Sequence, residues 1–142
     1  MSEFPAPPVT DLSRPYWDGL AAGELRFQRC TSCAHAWLPP RDECPRCLLP
    51  DWRYEASAGT GTLVSWVVYH RAFHPYFADK VPYHVAVVEL DEGPRLITNL
   101  VFDDEAERDS LRIDQAVELR VEDEGGWALA RFHPVLASAA SR

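Results

Sequence analysis

The chain has 142 residues, of which 46% are hydrophobic, and it carries a formal net charge of −8. Its five Trp, five Tyr and six Phe provide large side chains to bury, which excludes a wholly disordered chain and suits one domain or a domain with a small module. No apolar run approaches the roughly 20 residues of a membrane-spanning helix. The N-terminus combines an acid with prolines, unlike a secretory signal, so we expect a cytoplasmic protein without membrane contact.

The negative charge is concentrated in the second half of the chain. Residues 89–124 hold thirteen acidic residues against four arginines, whereas residues 1–88 are close to balance. Nucleic-acid binding depends on cations that neutralise phosphates, so this distribution argues against a general nucleic-acid binder. We interpret the acidic excess as a solvated surface.

A short helix is predicted near the N-terminus, within an extension of residues 1–24. Ser13 fits the N-cap position, and Pro15 fits the first turn. Tyr16 and Trp17 share one side of this helix, which is too short to be stable alone. The pair is expected either to fasten the helix to the next module or to form an apolar patch for a partner.

All four cysteines lie in the stretch RCTSCAHAWLPPRDECPRCLL, as the pairs Cys30/Cys33 and Cys44/Cys47. The neighbouring prolines favour turns rather than the helix start of a redox-active pair. In a reducing compartment, two such pairs more often hold a metal than form disulfides. We therefore predict a zinc ribbon over residues 25–56, with Zn²⁺ closed in by four thiolates in a structural role. Iron is the alternative metal, and a vestigial or disulfide site is the other interpretation.

Residues 57–135 contain five strand-like runs separated by turn sequences. DEGP and EDEGG are typical of hairpin connections, and DDEAERDSL predicts a short surface helix. Five short strands, of which the first is long, indicate a small closed barrel. The Ala/Ser-rich tail of residues 136–142 is expected to be frayed.

The segment HRAFHPYFADKVPYH, residues 70–84, connects the first two strands of this barrel. It combines aromatic rings with cations, which suits either the phosphate and adenine of CoA or the surface of a partner protein. The alternative is that these rings only cover one end of the barrel. The candidate contact residues in this segment are Arg71, Phe73, His74, Tyr76, Phe77, Lys80 and Tyr83.

The order of these motifs resembles a bacterial and archaeal family, catalogued as a domain of unknown function, that joins a rubredoxin-like zinc ribbon to an OB-fold. The motifs are the Tyr-Trp helix, LRFQRC-x-x-C, PPR-x-x-CPRC, G-x-G-x-L-x-S and RFHP, and the similarity covers residues 13–134. It implies a mainly β fold with an N-terminal helix, a zinc ribbon and a five-stranded OB-fold barrel. One departure is Asp114, which stands where similar proteins tend to have glycine.

The resemblance also implies a function. Members of this family look like accessory partners of thiolase-superfamily proteins, in complexes that include acyl-condensing enzymes, acyltransferases and steroid side-chain retro-aldolases acting on acyl-CoA. The sequence has no Gly-x-Ser-x-Gly elbow or phosphate-binding glycine loop, so we do not expect this chain to catalyse a reaction alone. The alternatives are a free-standing acyl-CoA or small-ligand binder and, less favoured because of the acidic charge, a single-stranded nucleic-acid binder.

Overall fold

The computed structural model describes residues 4–72 and 74–135, so the expectations for Phe73 and for the tail of residues 136–142 lie outside the described residues. An N-terminal helix leads into a three-stranded sheet and then a closed barrel. This architecture confirms the predicted mainly β fold class. Within the described ranges, neither helix has the length and hydropathy that crossing a bilayer would require.

Helix α1 spans Arg14–Ala21, with Pro15 in its first turn as predicted. Ser13 lies at the N-cap position, but its side chain does not cap the helix. The reason is that Ser13 has a helical backbone (φ −88°, ψ −11°) instead of the extended conformation that an N-cap side chain needs. Its hydroxyl instead accepts a hydrogen bond from the Thr10 backbone N–H at 3.0 Å. The preceding segment is thereby fixed to the start of α1.

The cysteine-rich module is a small antiparallel sheet. Its strands, in the spatial order β2-β1-β3, are β1 (Arg26–Cys30), β2 (Ala36–Trp37) and β3 (Trp52–Ala56). The buried residues of its own cluster are Cys30, Trp37 and Cys44, with Trp52 packed against them. Sulfur atoms and tryptophan rings therefore occupy the place that aliphatic side chains fill in a larger module.

The barrel is closed in the order β4-β5-β6-β8-β7, with antiparallel pairs except for the parallel pairing of β6 with β8. Its strands are β4 (Thr60–Tyr69), β5 (Tyr83–Leu90), β6 (Arg95–Leu100), β7 (Ala116–Glu124) and β8 (Trp127–Pro134). Helix α2 (Glu105–Asp109) connects β6 to β7, as the sequence predicts. Asp104 caps it by accepting the Glu107 N–H at 2.9 Å. This topology is that of an OB-fold.

One hydrophobic core holds the barrel and its N-terminal attachments together. Leu63, Val88 and Phe132 of the barrel are each 0% exposed. Leu20 of α1 and Leu25, just before β1, belong to the same cluster. The helix and the zinc-ribbon sheet are therefore anchored to the barrel.

Two turns depend on left-handed backbone. Gly125 and Gly126 connect β7 to β8 with φ values of 61° and 86°, which suits a tight hairpin. Asp114 precedes β7 with a φ of 67°. Aspartate tolerates this conformation better than most residues, which explains how it can stand where the resemblance leads us to expect glycine.

Candidate metal centre and interaction surfaces

The four cysteine sulfurs converge on one point. All four Sγ atoms lie within 4.8 Å of one another, and the Cys30–Cys47 and Cys33–Cys44 Sγ pairs are each separated by 3.6 Å. With a Zn–S bond of about 2.3 Å, a tetrahedral site places its sulfurs about 3.8 Å apart. All four cysteines are free, and a disulfide would need sulfurs about 2.0 Å apart. The arrangement fits a four-thiolate metal site and not the disulfide alternative.

Backbone amides stabilise the negative charge of these sulfurs. The N–H groups of Ser32 and Cys33 each donate to Cys30 Sγ at 3.3 Å, and the second pair repeats this arrangement around Cys44 at 3.4 Å. The hydrogen bond from the Cys33 backbone is the main cause that lowers the pKa of Cys30. Burial would raise the pKa of Cys44, but its amide donors outweigh burial and lower it to about 7. Both turns are therefore prepared to hold thiolates.

The raised pKa of the Cys47 thiol indicates that the four sulfurs are best stabilised as thiolates by a bound cation. The Leu49 amide lowers its pKa, yet burial and the other three thiol groups together raise it to about 12. Four sulfurs at this separation repel one another when all are ionised, and a bound cation removes that repulsion. Four donors leave no open coordination position, so the site suits a structural metal. Zinc and iron both accept this donor set.

A buried glutamine fixes the loop between the two cysteine pairs. Gln28 of β1 is 0% exposed. Its side chain accepts the Arg41 N–H at 2.7 Å and donates to the Arg41 carbonyl at 2.8 Å. Trp52 Nε1 donates to the neighbouring Asp42 carbonyl at 2.8 Å. These bonds fix Arg41 and Asp42, which directly follow residues 38–40 in this loop.

The β4–β5 connection brings several of the candidate contact residues together. A 3-10 turn spans Pro75–Phe77, and His74 Nδ1 accepts the Tyr76 N–H at its start, at 3.0 Å. The rings of Tyr76 and Phe77 are 5.0 Å apart, and those of Phe77 and Tyr83 are 5.9 Å apart. His74 therefore shapes this loop, because its Nδ1 is occupied by the turn.

Lys80 is exposed, but its ammonium group has two partners within the protein. Its Nζ lies 4.8 Å from the centre of the Tyr76 ring and 3.6 Å from Glu124 Oε2 of β7. Interaction with the Glu124 carboxylate also raises the pKa of Tyr76. Arg71, by contrast, is exposed at the start of the loop. The two cations of the segment thus differ, since Lys80 has a carboxylate partner within the protein.

Phe4, which no sequence pattern indicates as a contact residue, packs against the aromatic rings of the β4–β5 loop. Its ring lies 5.2 Å from that of Tyr76 and 6.5 Å from that of Phe77. A Cβ added to Gly125 would overlap the Phe4 side chain, so the β7–β8 turn leaves room for this ring. Phe4 is far from these residues in sequence, and no local pattern indicates the contact.

Tyr16 and Trp17 are half-buried and connect α1 to the barrel. The ring of Trp17 lies 5.0 Å from that of Tyr16 and 5.7 Å from that of Trp127 in β8. Burial raises the pKa of Tyr16 to about 12. The pair therefore packs the helix on the barrel, and the same two residues also line a surface groove.

This groove, which we call the aromatic–proline groove, has a volume of about 510 Å³. It lies between the N-terminal segment, α1, the loop after β2 and the start of β6. None of its lining residues is charged: they are Pro7, Pro8, Thr10, Leu12, Ser13, Tyr16, Trp17, Leu38, Pro39, Pro40, Leu96 and Ile97. One of them, Ile97, lies on the exposed face of β6, whereas Thr98 and Leu100 on the opposite face are buried, so the polarity of the sequence does not indicate which face is outward.

Two family models match the chain in tandem. The ChsH2 rubredoxin-like zinc ribbon domain matches residues 17–52, and the ChsH2 C-terminal OB-fold domain matches residues 54–122. The matched ranges correspond to the metal-centre sheet and to most of the barrel.

Several curated relatives align with about two thirds or more of the chain. A probable enoyl-CoA hydratase alpha subunit of Thermomonospora curvata is 41% identical over 95 residues, 66% of this chain. The 3-oxo-4,17-pregnadiene-20-carboxyl-CoA hydratase alpha subunit of Mycobacterium tuberculosis is 34% identical over 84% of this chain. This chain spans only 29% and 36% of the length of those two proteins. A DUF35 domain-containing scaffold protein of Methanothermobacter thermautotrophicus is 33% identical over 71% of this chain and 76% of its own length.

One solved structure covers nearly the whole chain. A chain of the structure described as the Ltp2-ChsH2(DUF35) aldolase superposes with a TM-score of 0.78 at 34% identity. The match includes 92% of this chain and 100% of that one. Together with the family models, it confirms the resemblance found in the sequence. The chain therefore belongs to the DUF35 family, whose members join a ChsH2-type zinc ribbon to an OB-fold.

Proposed function

We propose that this chain is an accessory subunit of an acyl-CoA enzyme complex in which a thiolase-superfamily protein contributes the active site. The observation that carries this proposal is the full-length likeness to a DUF35 chain of a structure described as an aldolase with a second named component, Ltp2. The names of the two hydratase alpha subunits support a CoA thioester as the substrate class. Aldol cleavage is the favoured reaction, with acyl condensation and acyl transfer as alternatives.

In this proposal the metal is Zn²⁺ and its role is structural. Cys30, Cys33, Cys44 and Cys47 are its ligands, and their closed set leaves no position for a substrate or an activated water. The ion stabilises a sheet whose own core consists of sulfur and tryptophan, and thereby the loop that follows β2. In the complex, the ion would therefore act indirectly, by fixing the shape of the protein surface around this loop.

The cysteines and two of the histidines are engaged in structure, which supports a non-catalytic role. The four sulfurs are arranged for a metal, and His74 Nδ1 accepts a backbone N–H. His84 packs its ring against Phe102 at 4.9 Å, and burial lowers its pKa. We therefore assign the chemistry to the partner, in a complex that we place in the cytoplasm.

The β4–β5 loop is the part of this chain that we propose to meet CoA at the shared interface. Arg71 is exposed there and can pair with a phosphate, whereas Lys80 already lies near Glu124. Tyr76, Phe77 and Tyr83 offer aromatic surface beside it. Phe73 belongs to the same proposal from its sequence position alone.

The barrel surface supports a protein or CoA partner over a nucleic acid. OB-folds bind oligonucleotides on the face of their second and third strands, through cations and stacking aromatics. Here those strands are β5 and β6, and their outward side chains include Val85, Val87 and Ile97, of which Ile97 is 76% exposed. Arg95 lies on the same face, but it is paired with Glu89 at 2.8 Å, so this largely aliphatic surface is poorly suited to neutralise phosphates.

A free-standing small-ligand binder is the second candidate, and the aromatic–proline groove favours it. Its volume of about 510 Å³ falls within the range of about 300–1,000 Å³ typical of ligand pockets. Calorimetry of the metal-loaded chain with acetyl-CoA and a long-chain acyl-CoA distinguishes the two candidates. Tight binding without any partner would favour this second candidate.

The proposed function is tested by affinity capture of the tagged chain from its native host, followed by mass spectrometry. We expect a thiolase-like protein in near-stoichiometric amount, which loses activity toward its acyl-CoA substrate when this chain is withdrawn. A monodisperse chain without a companion, from cells grown on several carbon sources, would contradict the proposal.

A further inference from the structure

The four sulfurs of the metal centre differ in their exposure to solvent. Cys30 and Cys44 are 1% and 0% exposed, whereas Cys33 and Cys47 are half-buried. Cys33, unlike the other three cysteines, lines a surface pocket of about 240 Å³. A small molecule that enters this pocket therefore meets the metal centre at Cys33.

Hydrogen bonding also distinguishes Cys33 from the other three ligands. Cys30 Sγ and Cys44 Sγ each accept two backbone N–H groups, and the Leu49 amide acts on Cys47. Among the described residues, no backbone N–H donates to Cys33 Sγ, which lies 3.6 Å from Cys44 Sγ. A hydrogen bond to a thiolate stabilises its negative charge and lowers its nucleophilicity. Cys33 is therefore the most nucleophilic sulfur of the set.

Two arginines border the pocket beside Cys33. Arg46 is exposed and forms no ion pair with another residue in the described part of the chain. Arg29 is fixed by Glu55 and by the Ala34 carbonyl, each at 2.9 Å. Glu92 is the only carboxylate that lines the pocket, and it already accepts two hydrogen bonds of 2.8 Å. Arg46 is thus available to stabilise negative charge that develops inside the pocket.

We propose that Cys33 is the site at which a hydroperoxide oxidises the metal centre, so that the ribbon releases its ion. This inference rests on the Zn²⁺ of the proposed function, goes beyond its structural role, and does not depend on the identity of the partner. Oxidants select thiolates that are partly exposed in an electropositive pocket. Exposure, hydrogen bonding and the neighbouring arginines all assign that position to Cys33.

The oxidation consumes two thiolates and one peroxide. Cys33 Sγ attacks one peroxide oxygen, an S–O bond forms, the O–O bond breaks, and the second oxygen leaves as hydroxide beside Arg46. Cys44 Sγ, 3.6 Å away, then attacks the sulfur of this sulfenic acid, so that an S–S bond forms and a second hydroxide leaves. The sulfur pair loses two electrons and the peroxide gains them. Only two thiolates remain as ligands, which is too few to hold the ion.

The first test treats the zinc-loaded chain with hydrogen peroxide. A chromogenic chelator measures the released Zn²⁺, and dimedone followed by mass spectrometry identifies the cysteine that becomes a sulfenic acid. We expect the dimedone adduct at Cys33 and, without dimedone, a Cys33–Cys44 disulfide that forms together with zinc release. A first adduct at Cys47, or zinc retained while free cysteine in the same solution is oxidised, would overturn the proposal. If the chain isolated from its host holds iron, the zinc assignment is wrong, and the zinc-loaded chain still decides the role of Cys33.

The second test compares Cys33→His with Cys47→His. Imidazole replaces one thiolate in many structural zinc sites, so both variants should retain zinc, which metal analysis verifies beforehand. Peroxide should release zinc from Cys33→His about tenfold more slowly than from the unaltered chain, because the reactive sulfur is gone. Cys47→His should behave like the unaltered chain. The reverse order would assign the reaction to Cys47, and a variant that fails to bind zinc leaves the decision to the mapped adduct.

The third test places the reaction in the pocket by comparing Arg46→Gln with Arg41→Gln. Both arginines are exposed on the ribbon and form no ion pair with another described residue, but Arg41 lines a different pocket. Glutamine removes the charge and retains the backbone N–H that Arg46 donates to Cys44 Sγ. We expect zinc release by peroxide to slow about threefold or more in Arg46→Gln, and to be unchanged in Arg41→Gln. Equal rates in the two variants would refute a reaction in this pocket.

Discussion

The zinc-ribbon sheet and the barrel are stabilised in different ways. The buried cluster of the sheet consists of Cys30, Cys44 and Trp37, whereas the barrel core contains Leu63, Val88 and other aliphatic side chains. A small sheet cannot bury enough apolar area to fold alone, so its free energy of folding comes largely from metal binding. The barrel obtains its stability from the hydrophobic effect. We therefore expect the sheet, but not the barrel, to depend on a bound metal ion.

Loss of the metal should have the largest effect, and it should be confined to the sheet. Cys44 is 0% exposed, and the Cys44→Ser substitution replaces a thiolate with a weak ligand. Structural zinc contributes on the order of 10 kcal/mol to the folding of isolated zinc-finger peptides, so we expect the sheet to unfold. Metal analysis should show loss of the ion, and hydrogen exchange should show deprotected β1–β3 amides with β5–β8 still protected.

Ser32→Ala is the control, because Ser32 is exposed and alanine keeps the backbone N–H that donates to Cys30 Sγ. A metal-free Cys44→Ser chain with a protected sheet would refute a metal-dependent module.

A cavity in the barrel should act on global stability without releasing the metal. Leu63 is 0% exposed, so we expect Leu63→Ala to lower the free energy of unfolding by about 2–5 kcal/mol, because it removes buried methyl groups. Leu48→Ala is the matched control, since Leu48 is 66% exposed and such changes stay within about 0.5 kcal/mol. Urea unfolding followed by far-ultraviolet circular dichroism measures both, and metal content should be unchanged. Equal losses for the two variants would contradict the core assignment.

The next effect concerns Gln28, which joins β1 to the loop that borders the groove. Gln28→Ala removes both hydrogen bonds to Arg41, and we expect a loss of about 2 kcal/mol. Gln115→Ala is the comparison, because Gln115 is also buried but makes one side-chain hydrogen bond, from the Arg112 N–H to its Oε1 at 3.0 Å, while its Nε2 finds no partner among the described residues. Its loss should therefore be smaller. Chemical denaturation ranks the two, and a larger loss for Gln115→Ala would show that the Gln28 bonds contribute little.

The smallest effect should appear as pH dependence of the barrel. Burial, with a contribution from Arg108, lowers the pKa of His84 below its ordinary value of 6.5. The unfolded chain then binds a proton more readily than the folded one. The stability contribution is therefore complete above the unfolded pKa and declines as pH falls from there toward the folded pKa. Urea midpoints measured across this window should decrease for the unaltered chain and less so for His84→Gln. Parallel curves would show that His84 does not cause the decline.

The features that could be predicted from the sequence are local. The Cys-x-x-Cys spacing predicts the metal site, because two residues between thiols fix a turn whose amides face the sulfur. The five strand-like runs of residues 57–135 correspond to β4–β8, because turn sequences such as DEGP mark where a run ends. Asp114 illustrates a subtler case, since its left-handed backbone is where the resemblance leads us to expect glycine.

The features that escaped prediction depend on contacts between distant parts of the chain. Ser13 has the identity of an N-cap residue, but its hydroxyl is occupied by Thr10. The ion pair of Lys80 is another such contact, since β7 brings Glu124 Oε2 to within 3.6 Å of its Nζ. The aromatic–proline groove exists only after α1, the ribbon and β6 have packed together. Pattern and spacing within one segment carry no information about such contacts.

The Phe4 side chain occupies the space that a side chain at position 125 of the β7–β8 turn would need. Because a Cβ on Gly125 would overlap Phe4, a side chain at either position restricts the choice at the other. During evolution, a substitution at Gly125 would expel the aromatic ring and separate the N-terminal segment from the loop that contains Tyr76. We therefore expect positions 4 and 125 to vary together among relatives, with an aromatic residue at 4 found where 125 is glycine. In relatives that have neither the aromatic residue at 4 nor the glycine at 125, we expect the N-terminal segment to pack elsewhere on the protein.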